Sequence, residues 1–161
     1  MKIGLAYDLK EQVCCETNLC SDEFEEYDSP ETIEIIADTL KAQGHTIVPL
    51  GGGGEFIDNI RAYNVDMVFN IAEGRGNYRG REAQVPSILE MLDIPYTGSD
   101  PQCLAICLDK PLSKQLVAAA GVNTPRCYVI SDRTDINLIP STKIMYPAIL
   151  KPAFELSLIH I

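Results

Sequence analysis

Apolar residues open the chain as a short dense run, KIGLAY at 2–7, which predicts a first buried strand. A polar, cysteine-bearing connection to about residue 28 has no assignable period. Ser29-Pro30 then announces a helix, because a serine hydroxyl caps free amide groups and proline suits the first helical position. Apolar residues at 33, 36, 37 and 40 share one face of that helix, and Gly44 supplies a left-handed stop. HTIVPL (45–50) follows as a second strand and completes a β-α-β unit. GGGGEF (51–56) turns into a short helix over roughly 55–63, and VDMVFNIA (65–72) reads as a strand covered on both faces.

EGRGNYRGRE (73–82) is a loop at the end of that third strand. A helix from about 82 to 92 and a short strand, IPYTG (94–98), come next. Ser99-Asp100-Pro101 repeats the cap-then-proline signal for a helix to about 108. Asp109-Lys110-Pro111 starts another, which ends at Gly121. PRCYVI (125–130) and YPAILKPA (146–153) are strand-like. Alternation of strand and helix up to about 98 predicts an α/β, Rossmann-like parallel sheet with helices on both faces. The rhythm breaks after residue 100, so we expect a domain at 1–104 and the start of a second, incomplete one at 105–161.

Composition narrows the function classes. The net charge is −10, with 23 acidic and 13 basic residues. Such a chain repels a phosphate backbone, so nucleic acid is not an expected partner. The segment 21–31 holds carboxylates and no base, the pattern of a solvated loop or helix start. No run approaches the roughly 20 apolar residues of a membrane helix. The N-terminal run is broken by Asp8 and Lys10 and is too short for a signal peptide. The six cysteines, at 14, 15, 20, 103, 107 and 127, lack zinc-ligand spacing and read as reduced thiols in the cytoplasm. Cys103 and Cys107, four apart on a helix, are expected to pack as small apolar groups.

In an open parallel sheet, ligands bind outside the carboxyl ends of the strands. EGRGNYRGRE and YTGSDP both fall there. The four-glycine run at 51–54 lacks the GK[ST] ending and the GxGxxG spacing of a phosphate loop, and reads as an ordinary turn. Two lysines stand out: Lys110 opens a helix, and Lys151 closes an apolar strand, a costly position unless its ammonium meets an anion or water.

The stretch IPYTGSDPQCLAICLDKPLSKQLVAAAGVNTPRCYVI, followed by YPAILKPAFE, resembles the D-alanine–D-alanine ligase family of the ATP-grasp superfamily. IPYTGS, LDKxxSK, AAAG-V-x-TP and the KPA strand end occur in the family's order and spacing. The match covers roughly 65–155 well and the first 64 residues more loosely. The resemblance implies a pre-ATP-grasp domain that helps bind the first amino acid, and an ATP-grasp region that clamps ATP with Mg2+. It implies that a carboxylate becomes an acyl phosphate, which an amine attacks to form a dipeptide for cell-wall peptidoglycan. A homodimer is a further possibility that it carries. Lys110 and Lys151 match the family's two phosphate-contacting lysines.

Three departures from the family pattern bear on substrate. Glu73 falls where the family's loop histidine stands, with Arg79 and Arg81 near its acidic pair; these arginines either hold a carboxylate or stand as solvated charges. Glu25, Glu26 and Asp28 lie near the glutamate that anchors the first substrate's ammonium, and Glu26 is the preferred match. After Glu155 the family's glycine-serine loop does not follow, so LSLIHI reads as a truncation or an out-of-frame tail, and the metal ligands are expected beyond it. The leading expectation is a ligase of D-alanine–D-alanine type whose N-terminal fragment is inactive alone. The alternatives are an ATP-grasp ligase for another amino acid or hydroxy acid, and a non-catalytic βα binding module.

Overall fold

The computed structural model describes residues 1–17, 26–139, 144 and 146–154. Its elements are β1 (Lys2–Ala6), α1 (Lys10–Thr17), α2 (Pro30–Ala42), β2 (Thr46–Gly51), α3 (Gly53–Ala62), β3 (Met67–Asn70), α4 (Gln84–Met91), α5 (Pro101–Leu108) and α6 (Lys110–Ala119). Short 3-10 turns occupy Arg81–Ala83 and Asp135–Leu138. The chain divides into two compact units, Met1–Ala105 and Ile106–Ile161.

In the first unit the strands lie parallel in the order β2-β1-β3. β1 pairs β3 from Ile3↔Met67 to Ala6↔Asn70, and pairs β2 from Lys2↔Thr46 with an irregularity between Leu5 and Ala6. The two crossovers travel in opposite directions across the sheet, and right-handed connections therefore set α2 and α3 on opposite faces. Ala6, Val48 and Val68 share one face with Phe56 and Ile60 of α3 and with Val85 and Leu89 of α4. Ile3 and Leu5, also buried, fall on the other face by the two-residue period of the strand.

Local chemistry explains the helix ends. The Ser29 hydroxyl accepts from the Thr32 amide at 3.2 Å, and Asp100 accepts from the Cys103 amide at 2.8 Å. α2 is followed by Gly44 at φ +84°. This α/β, Rossmann-like frame is the one the alternation of elements predicts.

Several details differ from the sequence expectation. The connection after β1 begins with α1, a helix whose polar sequence KEQVCCET has no apolar stripe to announce it. The segment 94–98 touches β3 through a single parallel bridge, Val68↔Tyr96. Pro95 has no amide to donate, and the Asn70 amide is taken by the Thr97 hydroxyl at 3.0 Å, so no ladder extends. Cys103 and Cys107 are exposed and do not pack as expected.

In the second unit, Asp109 is buried and caps α6 by accepting from the Leu112 amide at 3.0 Å. Lys114 donates to the Thr124 hydroxyl at 2.7 Å, and Gly121 follows the helix at φ +79°. The strands expected at 125–130 and 146–153 form no ladder among the described residues, and Val129, Ile130, Ile149 and Leu150 are exposed. A strand is stable only with a neighbour that receives its backbone hydrogen bonds. Cys20, Glu25 and the tail from Glu155 lie outside the described residues. Among the described residues, no helix is long and apolar enough to cross a membrane.

Candidate active site

The carboxyl end of β1 delivers Asp8 into the interior, where it is 1% exposed. A buried carboxylate needs hydrogen-bond donors or counter-charge. Asp8 has both: the Gly74 amide donates to Oδ2 at 2.9 Å, and Arg75 Nε lies 3.0 Å from Oδ1. The Asp8 carbonyl accepts from the Asp28 amide at 3.1 Å, and the Lys10 amide donates to the Asp28 carbonyl at the same distance. Residues 26–28 are thereby fastened beside the end of β1.

The loop after β3 closes over the same place. Gly74 has φ +81°, and a Cβ there would lie 2.1 Å from the Arg81 carbonyl oxygen, so only glycine allows the loop to fold back on itself. The Gln84 side chain holds the fold from both sides, accepting from the Arg75 amide and donating to the Arg75 carbonyl, each at 2.9 Å. Tyr27 donates to the Gly74 carbonyl at 3.4 Å. Gly52, at the entry to α3, faces Asp8 so closely that a Cβ would sit 1.8 Å from Oδ1.

These contacts wall a pocket of about 380 Å³ in the first unit, whose polar lining is Glu26, Asp28, Asn70, Glu73, Glu82 and Ser99. Glu26 forms an ion pair with Arg81; the two side chains are 9% and 5% exposed, which makes the pair an interior one. The Glu26 Oε1 atom takes the arginine, while its Oε2 atom is buried with no hydrogen-bond partner. Glu73 Oε2 is in the same condition. Burial, reinforced by the charges of Glu82 and Glu26, pushes Glu73 up to about 7, with Arg81 opposing. Asp28 is also raised, by burial and then by the charge of Asp8. A carboxyl group that titrates near neutrality can hold or release a proton at working pH.

Glu26 and Glu73, both candidates from sequence, meet in this pocket. Arg79 is exposed and does not line it, whereas Arg81 forms the ion pair with Glu26. Sequence reasoning also missed Asp8 and Glu82. Asp8 carried a usable signal, a charged residue directly after a buried strand, at the edge where parallel sheets bind ligands. In the second unit, Lys110 begins α6 with its ammonium nitrogen buried, and Lys151 is exposed. The Lys110 amide donates to the Ala153 carbonyl at 3.0 Å, which joins the start of α6 to the KPA segment. Among the described residues, no three His, Cys, Asp or Glu side chains are grouped so as to hold a metal ion.

No family model matches the chain. Curated proteins do. The D-alanine–D-alanine ligase B of Pseudomonas putida is 35% identical over 120 residues, which cover 74% of this chain and 36% of that protein. The D-alanine–D-alanine ligase of Aquifex aeolicus is 33% identical over 127 residues, covering 79% of this chain and 42% of its own length. A crystal structure of the D-alanine–D-alanine ligase of Bacillus anthracis complexed with ATP matches with a TM-score of 0.52 and 27% identity, over 78% of this chain and 37% of that one. The chain belongs to the D-alanine–D-alanine ligase family. D-alanine–D-alanine ligases are ATP-grasp enzymes, and the described fold corresponds to the N-terminal part of their structures. D-alanyl-alanine synthetase A of Vibrio cholerae shares the fold, with a TM-score of 0.58 and 20% identity over 86% of this chain. The chain spans 36% to 42% of the length of the curated ligases described above.

Proposed function

We propose that this chain contributes the amino-acid-binding region and the first nucleotide-contacting residues of an ATP-dependent carboxylate–amine ligase of D-alanine–D-alanine ligase type. In this reading a substrate carboxylate oxygen attacks the γ-phosphorus of ATP and ADP leaves. An amine then attacks the acyl phosphate carbon, and phosphate departs with the formation of a peptide bond. The bond from the Lys110 amide to the Ala153 carbonyl carries the reading, because it brings the chain segments of Lys110 and Lys151 side by side. Paired ammonium groups offset charge that builds on a transferring phosphoryl group. The ATP complex of the Bacillus anthracis ligase supports ATP as co-substrate.

Mg2+ is expected to accompany the nucleotide; among the described residues no donor set fits it. The reading sets the reaction in the cytoplasm, within peptidoglycan synthesis, and carries a homodimer as a further expectation. Glu73 in place of the family's loop histidine favours a second reading, a ligase of the same chemistry for an amino acid other than D-alanine. ADP release by a full-length ligase polypeptide carrying these residues, over a panel of amino acids, tests both. Stimulation by D-alanine supports the first, stimulation by another amino acid the second, and no stimulation by any of them defeats both.

A further inference from the structure

Asp8 stands where three parts of the first unit meet. It follows β1, the middle strand of the order β2-β1-β3, at the carboxyl edge where the two crossovers diverge. Its buried carboxylate divides its oxygens between neighbours in one loop: Oδ2 accepts from the Gly74 amide at 2.9 Å, and Oδ1 lies 3.0 Å from Arg75 Nε. Its main-chain carbonyl serves the opposite wall and accepts from the Asp28 amide at 3.1 Å. Gly52, at the entry to α3, packs against the carboxylate, where a Cβ would lie 1.8 Å from Oδ1.

These contacts close a ring. From Asp8 it runs to Gly74, then to Arg81, whose carbonyl packs against Gly74, and through the ion pair to Glu26. The chain then leads from Glu26 to Asp28, whose amide returns to Asp8. Glu73 precedes Gly74 by one residue and Glu26 precedes Asp28 by two, so both glutamates of the pocket are anchored on Asp8. Asp8 itself is not among the residues that line the pocket. Groups that meet a ligand keep their geometry only when the residues behind them are fixed. We propose that Asp8 is a positioning residue, which sets Glu73 against Glu26 and thereby fixes the shape of the amino-acid pocket. Its consequence for turnover rests on the ligase reading, while the holding of the two glutamates does not.

Asp8→Asn keeps the main-chain bond to Asp28 and one oxygen for Gly74, but it removes the charge that pairs with Arg75. Its amide group, turned to Arg75, sets donor against donor, so the loop loosens around Glu73 while segment 26–28 stays in place. Glu73 itself reports the loosening. Burial holds it at about 7, with Glu82, Glu26 and Asp28 raising it and Arg81 opposing. Release of the loop to water returns it towards 4.5.

The experiment follows Glu73 by carbon NMR in the 161-residue chain carrying carboxyl-13C glutamate, with the resonance assigned by its loss in Glu73→Gln. Asp8→Asn and Arg75→Gln are compared with the parent, and circular dichroism checks the folding of each. Both variants should lower the Glu73 midpoint, Asp8→Asn by more. A field effect alone would act in opposite directions, because one variant removes an anion and the other a cation. Opposite shifts, or unchanged midpoints, overturn the proposal; should Asp8→Asn not fold, a downward shift in Arg75→Gln supports it and any other result overturns it. In a full-length ligase polypeptide, Asp8→Asn should raise KM for the amino acid about tenfold, with kcat and KM for ATP little changed. A fall in kcat at unchanged KM is what a smaller folded fraction gives, and would overturn the positioning role. Absence of turnover in the parent polypeptide would remove the ligase reading and leave the Glu73 titration to decide the role of Asp8.

Discussion

Arg81→Met strands the Glu26 carboxylate in the interior. The two side chains are 5% and 9% exposed, so solvent screens the pair little and cannot take up the orphaned charge. Breaking a buried pair from one side typically costs about 3–5 kcal/mol, against total stabilities of about 5–15 kcal/mol for a domain. With a urea dependence of about 2 kcal/mol per molar, the midpoint falls by about 2 M. Glu26→Gln/Arg81→Met removes both charges together and should recover more than half of the loss. The assay is urea denaturation of the full chain followed by far-ultraviolet circular dichroism, completed as a double-mutant cycle. Additive effects, or a single-mutant cost below about 1 kcal/mol, would refute the argument, because that is how a solvated surface pair behaves.

Gly74→Ala should lower stability by about 2 kcal/mol or more, since it adds a side chain at φ +81° with the Arg81 carbonyl 2.1 Å away. Gly54→Ala, within α3 and with open space around it, should raise stability by about 0.5–1 kcal/mol; thermal melts of the two variants check the contrast. The folded-state pKa of Glu73 lies above its unfolded value of 4.5, so the native state holds the extra proton. Its contribution to stability is therefore lost as pH rises from about 4.5 to 7, and Glu73→Gln should flatten that fall when denaturation is measured at several pH values. A chain cut after residue 104 should keep a single cooperative melting transition.

What was legible in the sequence is what local chemistry decides. Ser29, Asp100 and Asp109 each cap the helix they precede, and Gly44 and Gly121 adopt the left-handed stops their positions demand. Alternating apolar runs separated by helical periods gave the parallel sheet, because burial on both faces leaves that pattern. α1 was not legible, since KEQVCCET has no apolar face. The runs at 125–130 and 146–153 carry strand composition, but composition cannot provide the neighbouring strand that a ladder requires.

The candidate site divides in the same way. Glu26 and Glu73 were found through their resemblance to family positions, and both reach the pocket. Their partners depend on topology. Glu26 meets Arg81 from 55 residues away, and Asp8 meets Gly74 from 66. No local rule distinguishes Arg79, which faces solvent, from Arg81, which does not; the turn Arg81–Ala83 at the mouth of α4 makes that choice.

The most direct test of the ligase chemistry follows a single oxygen atom. A full-length ligase polypeptide carrying these residues is given ATP and an amino acid labelled with 18O in its carboxylate, and the phosphate produced is read by the isotope shift in its 31P resonance. Transfer of one labelled oxygen to each phosphate is the expected result, because the phosphate expelled from the acyl phosphate carries the carboxylate's own oxygen. Unlabelled phosphate would mean that water, not the substrate carboxylate, receives the phosphoryl group, and carboxylate activation would be ruled out.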